Sequence, residues 1–174
     1  GFITKGVARV VEVSETSQQA LQESQNLLKT LGNGTAQLRY YMTDNKVSML
    51  LTTSGVQLVR SSVIKVAELK WKILEFRRLL RDPKSDPQPA AQALYQLLVA
   101  PVAKDLADAG AKTVMLPLDR DLRYLPFGAL HDGKQYLAQR WNLPIYTSVT
   151  KDKLRDTVTP KWQFAGLGVT QALG

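Results

Sequence analysis

The sequence predicts an α/β fold: an N-terminal helix and an antiparallel meander with helices, leading into part of a parallel sheet. Three observations predict it. Apolar and polar residues alternate over 38–59, interrupted by two short turns, the signature of half-buried antiparallel strands. Apolar residues recur at helical spacing in three other stretches, near 20–31, 66–80 and 91–99. From residue 113 onward, short and nearly continuous apolar runs take over, as in strands buried on both faces. A length of 174 residues with 44% hydrophobic side chains suits one domain with a real core and excludes wholesale disorder.

The first helix is expected to begin near Thr16, where Thr16 and Gln19 make the S/T-x-x-Q pattern of a capping box. Ala20, Leu21, Ser24, Leu27, Leu28 and Leu31 form its inner stripe, and Gly32-Asn33-Gly34 ends it, because these residues tolerate a left-handed C-cap. In the meander, Leu38, Tyr40 and Met42 alternate with Arg39 and Tyr41. Asp44-Asn45 turns the chain, and Val47, Met49 and Leu51 alternate again. Ser54-Gly55 turns it a second time into Val56-Gln57-Leu58-Val59. A helix from about Val66 to Arg81 carries Val66, Leu69, Ile73, Phe76 and Leu80 on one face and Lys70, Arg77, Arg78 and Arg81 on an adjacent one. The segment 82–89 holds three prolines, which remove backbone donors and disfavour helix just before each of them. Asp86-Pro87 then reads as N-cap and first turn of a helix carrying Ala91, Leu94, Tyr95, Leu98 and Val99. Pro101 kinks or divides that helix, and it ends at Gly110.

The second half is expected to contain parallel strands at 113–118, 143–147 and 163–168, with a short helix from Lys151 to Val158. That order is an α/β pattern. Such a sheet normally continues with a crossover helix and further strands, so a chain stopping just past a strand reads as a truncated sheet. Its open edge invites pairing with a second copy, and a homo-oligomer is expected. The chain begins Gly1-Phe2 rather than with Met, which fits a processed piece of something longer.

Composition excludes several function classes. There is no cysteine, hence no disulfide, no thiolate metal site and no thiol nucleophile. The sole histidine, His131, excludes multi-histidine metal sites. It lies in Leu130-His131-Asp132-Gly133, a turn sequence, and no G-x-S-x-G elbow accompanies it. Gly166-Leu167-Gly168 lacks the third glycine of a dinucleotide loop. No cofactor is expected. The absence of cysteine fits a cytoplasmic location, and because no apolar run approaches 20 residues, no membrane partner is expected. The net charge is +8. Residues 60–84 carry eight Lys/Arg against only Glu68, Glu75 and Asp82. Lys70, Arg77, Arg78 and Arg81, with Trp71 and Phe76 interleaved, are therefore candidates for an anionic partner such as nucleic acid. Phe76 belongs to the apolar stripe, and an ordinary solvated basic face is the plainer alternative.

A family resemblance enters at residues 94–137. Leu94 to Pro101 is followed by Val114-Met115-Leu116-Pro117-Leu118-Asp119, then Leu122, then Leu125-Pro126-Phe127-Gly128-Ala129-Leu130, His131-Asp132-Gly133 and Tyr136-Leu137. This ordered set resembles the CHAT domain, a caspase-like cysteine peptidase domain associated with tetratricopeptide repeats. On that resemblance, residues 1–35 are a helical lead-in and 36–174 are the N-terminal portion of the domain. Residues 36–85 are its meander and basic helix, and 86–174 a helix plus the first strands of a caspase-like sheet. The family's His–Cys dyad would follow the strand at 163–168, and nothing in this chain matches either motif. The resemblance therefore implies the non-catalytic front of a protein that cleaves proteins or signals. Its partners would be the remainder of the parent domain or a protein substrate. A non-catalytic scaffold is the alternative.

Asp119-Arg120-Asp121-Leu122-Arg123 follows the carboxyl end of the first apolar strand, the edge where open parallel sheets bind ligands. The resemblance implies that this loop walls a substrate pocket, with Asp119, Asp121 or Arg123 reading a charged side chain. The alternative is that these charges pair with one another.

Overall fold

The expected meander forms in a computed structural model that describes residues 34–146 and, ahead of them, residues 22, 25, 26 and 28–32. Strands β1 (Thr35–Thr43), β2 (Lys46–Thr52) and β3 (Gln57–Val63) pair antiparallel in sequence. Tyr40 lies opposite Met49 and Leu38 opposite Leu51, so the alternating apolar sets share one face. Asp44-Asn45 makes the first turn, with Thr43 opposite Lys46. At the second turn the Thr53 hydroxyl accepts the Val56 N–H at 2.9 Å, and the Thr53 N–H donates to the Val56 carbonyl at 2.8 Å. Strand β3 continues past Val59 to Val63. Arg60-Ser61-Ser62 carries no apolar signal, but tertiary bonds hold it. The Ser62 hydroxyl donates to the Leu97 carbonyl at 2.7 Å, and Arg60 forks onto Asp105.

Helices α1 (Val66–Arg81), α2 (Gln88–Leu98) and α3 (Ala100–Asp108) follow. Pro101 divides the last two, as expected. The Pro-rich segment enters α2 one residue later than the sequence indicates: Pro87 is the N-cap, and the Asp86 carboxylate accepts the Gln88 N–H at 3.0 Å. Strand β4 (Thr113–Pro117) then lies parallel to β1, with Ala36 opposite Val114. Two 3-10 turns (Arg120–Tyr124 and Phe127–Ala129), a short helix α4 (Leu137–Arg140) and strand β5 (Ile145–Tyr146) complete the described chain. Strand β5 is parallel to β4. The five strands form one sheet in the order β3-β2-β1-β4-β5, so the meander and the parallel strands are continuous.

One core joins these layers. Leu38, Val47, Met49 and Leu51 from the sheet meet Leu69, Ile73 and Phe76 of α1, Leu94 and Leu98 of α2, and Val102 and Leu106 of α3. Burying each such side chain contributes roughly 1.5–3 kcal/mol. The Tyr40 hydroxyl reaches through this layer to the Leu98 carbonyl at 2.8 Å, and burial pushes its phenol well above the ordinary tyrosine range. On the opposite face Leu28 of the lead-in helix packs on Met115. That helix ends with Gly32 at φ 91° and Gly34 at φ 88°, the left-handed backbone expected there. A side chain at Gly34 would meet the Gly110 carbonyl oxygen at 3.2 Å.

Two stripe assignments are corrected. Leu80 is 42% exposed and Leu31 46% exposed, because each sits in the last turn of its helix, past the edge of the surface it covers. Thr16 to Ala20, the helix at Lys151 to Val158 and the strand at Gln163 to Gly168 lie outside the described residues. Among those described, no helix is long and apolar enough to cross a membrane.

The packing sets an expected contrast. Phe76→Ala should lower stability by about 3–5 kcal/mol, whereas Leu80→Ala should cost less than about 1 kcal/mol. Urea unfolding midpoints of the two variants check this.

Candidate functional site

Strand β4 delivers the candidate loop. Val114 and Leu116 are buried in the main core, and Met115 is buried against Leu28. Leu118 continues inward, after which Asp119 and Arg120 emerge into solvent. The following segment is pinned by apolar anchors: Leu122, Leu125, Phe127, Leu130, Leu137 and Trp141 are all buried in the same core. Phe127 lies against Tyr40 with ring centroids 5.6 Å apart. Pinning at this spacing leaves Asp119, Arg120, Arg123 and Tyr124 facing outward.

The charges of this loop do not pair with one another. Asp121 instead reaches Lys70 of α1 at 3.2 Å, and the Arg77 guanidinium lies 5.4 Å from the centre of the Tyr124 ring. Residues predicted as two separate candidate sites thus meet along one rim. The Lys70–Asp121 pair is half exposed, which limits it to roughly 0–1 kcal/mol. The cation–ring contact adds about 0.5–1 kcal/mol. Arg78 turns the other way and forks onto Glu75 at 2.7 and 2.9 Å. Its hydrogen bonds hold the Glu75 carboxyl below the ordinary range and raise the guanidinium in turn. Arg81, Asp119 and Arg123 have no side-chain ion pair among the described residues.

Sequence reasoning passed over Arg120. Its φ is +51°, a left-handed conformation that costs an ordinary L-residue roughly 1–2 kcal/mol. No sequence signal marks such a position when the residue is not Gly, Asn or Asp. The strain follows from turning the chain sharply between buried Leu118 and buried Leu122.

His131 lies in the turn that its sequence indicates. It is buried, its Nδ1 accepts the Gly133 N–H at 3.0 Å, and its ring meets Tyr136 edge-on at 4.9 Å. The neighbouring Asp132 closes the same turn. Its carboxylate accepts the N–H groups of Lys134 and Gln135, each at 2.8 Å, and pairs with Arg140 at 3.4 Å. Burial alone would raise the Asp132 carboxyl. The two backbone donors and the Arg140 charge outweigh it and hold the group below the usual range. Among the described residues no cluster of His, Cys, Asp and Glu could hold a metal ion.

Against this geometry, residues 88–167 match the family model of the CHAT domain. The match opens at the first residue of α2 and includes β4, the candidate loop, the His131 turn and β5. The meander and the basic helix lie before it. No curated protein matches the chain.

The depressed Asp132 carboxyl makes a signed prediction. Its charge stabilises the fold above the unfolded aspartate pKa of ~3.9. That contribution is lost as pH falls through the lower folded value. Asp132→Asn should therefore be less stable than wild type near neutrality, with the gap closing below about pH 4. Urea midpoints measured from neutral to acidic pH check it.

Proposed function

We propose, from the CHAT-domain match over residues 88–167, that this chain supplies the framework half of a caspase-like peptidase unit. The observation that carries this reading is the placement of the Asp119–Arg123 loop. It leaves the carboxyl end of β4, between parallel neighbours β1 and β5. Ligands of open α/β sheets bind in that position. Apolar anchors fix the loop while its charges stay in solvent, as a wall that reads a substrate side chain requires.

The chain itself has no cysteine, so the nucleophile of a His–Cys dyad must be supplied by other sequence. In this reading the residues present here bind and position rather than react. Asp119 and Arg123 are free to meet a charged peptide side chain. Asp121 holds the loop to α1 through Lys70. The parent protein then cleaves proteins or signals by cleavage, and tetratricopeptide repeats are the expected neighbours of such a unit. The remainder of the domain, or a protein substrate, is the partner.

A scaffold without catalysis is favoured by a different observation, the solvent-facing apolar and basic surface of α1. The two readings are separable. Expression of the complete open reading frame, followed by peptide-library cleavage with and without thiol alkylation, should give alkylation-sensitive cleavage. A complete frame without cysteine, or cleavage indifferent to alkylation, overturns the peptidase reading. In the active protein, reversing the charge of Asp119 or Arg123 should change substrate preference by about tenfold, the effect of losing one charge-assisted contact. An unchanged cleavage pattern across the peptide panel removes the pocket assignment.

A further inference from the structure

Helix α1 buries Leu69, Ile73 and Phe76 and leaves Trp71 63% exposed and Leu74 62% exposed. Together with Arg78 they occupy the outward crest at i, i+3 and i+7, the spacing of one helix face. Lys70, Arg77 and Arg81 line the flank toward the 3-10 turn, where Tyr124 is 60% exposed. On the other flank, a cleft of about 190 Å³ opens between α1 and α2, lined by Trp71, Lys72, Glu75, Ala90 and Ala93. Small-ligand pockets begin near ~300 Å³. This cleft instead suits a single apolar side chain. Lys65, Arg77, Arg81 and Lys84 have no carboxylate partner among the described residues, so the surface keeps an uncompensated positive charge around its apolar crest.

The geometry points to the outward face of α1 as a docking surface for an acidic amphipathic helix of a protein partner. One apolar residue of that helix enters the cleft beside Trp71, another lies on Leu74, and carboxylates on its rim meet Arg77 and Arg81. Charge complementarity selects an acidic partner. The apolar crest and cleft select a helix with spaced apolar anchors, the helix-in-groove mode of recognition.

A nucleic acid fits less well. Lys70, Lys72 and Arg78 are already paired with Asp121, Glu68 and Glu75, so carboxylates interrupt the path that a phosphate backbone would follow. Of the two aromatics in α1, Phe76 is buried in the core, which leaves Trp71 as its one stacking platform. A membrane surface fits less well too. The main apolar stripe of α1 is committed to the core, and the cleft beside Trp71 is concave. The proposal does not rest on the peptidase reading, although this surface adjoins the Asp119–Arg123 loop through the Lys70–Asp121 and Arg77–Tyr124 contacts.

Fluorescence anisotropy with the full chain tests the proposal. The probes are two labelled peptides of identical Leu, Glu and Ala composition. One has leucines at i, i+3 and i+4 spacing; the other is scrambled. The amphipathic peptide should bind at least about tenfold tighter than the scrambled one, the loss expected when one anchor is misplaced. Trp71→Ala with Leu74→Ala should weaken it by about tenfold or more. Arg77→Glu with Arg81→Glu should weaken it by about fivefold, the effect of rim charges. Trp71→Phe, which keeps an aromatic anchor, should retain most of the affinity, and circular dichroism verifies that each variant folds. Four results would overturn the proposal: no binding, equal binding of the scrambled peptide, unchanged affinity in Trp71→Ala with Leu74→Ala, or tighter binding to a single-stranded oligonucleotide or phosphatidylserine vesicles than to the peptide.

Discussion

The pairing of β1 with β4 is the constraint on which the rest of the structure depends. Strand β1 is antiparallel to β2 on one edge and parallel to β4 on the other. Parallel pairing needs a long crossover, and the intervening hairpins and helices supply it. The burial pattern of β1 records the arrangement. Ala36, Gln37 and Leu38 are all buried, since β4 flanks this half and Leu28 and Met115 cover the second face beside it. Beyond Leu38 the strand outruns β4, and its second face opens to solvent at Tyr41. Losing this pairing would separate a three-stranded meander from a short parallel pair, and neither would keep a closed core.

The same constraint creates the candidate site. Because β4 is fixed between β1 and β5, its carboxyl end can release the chain only past Leu118. The chain must then return within four residues to bury Leu122. Arg120 absorbs the turn in a left-handed conformation. The anchors from Leu122 to Trp141 leave the loop little freedom, which suits a wall that positions a partner. Helix α1 closes the rim through Lys70 and Arg77. The basic helix is thereby half committed to internal contacts and half free, and this division separates its structural charges from those that face outward.

Much of the fold was legible in the sequence because local periodicity and turn chemistry agree with tertiary burial. Alternation at Leu38, Tyr40, Met42, Val47, Met49 and Leu51 placed the strands, and Asp44-Asn45 and Ser54-Gly55 placed the turns. The stripe Leu69, Ile73 and Phe76 placed α1. The reading failed where position along an element, rather than residue type, decides exposure. Leu80 and Leu31 repeat the period but sit beyond the surfaces that their helices cover. It also failed at β3, whose last residues are held by Ser62 and Arg60 bonding to distant groups. Such bonds leave no period to read.

The sequence by itself determined the types of the main elements from β1 to β4, the absence of a thiol nucleophile, and which residues carry charge near the carboxyl end of β4. These follow from composition and local spacing, which need no knowledge of what packs where. Only the tertiary structure decided that the meander and the parallel strands form one sheet. It alone decided that Asp121 answers Lys70 rather than its own neighbours, and that Arg120 carries backbone strain. It alone left Trp71 and Leu74 in solvent while Phe76 went inside. Each of these outcomes depends on contacts between residues far apart in the chain, whose distances emerge only once the core has closed.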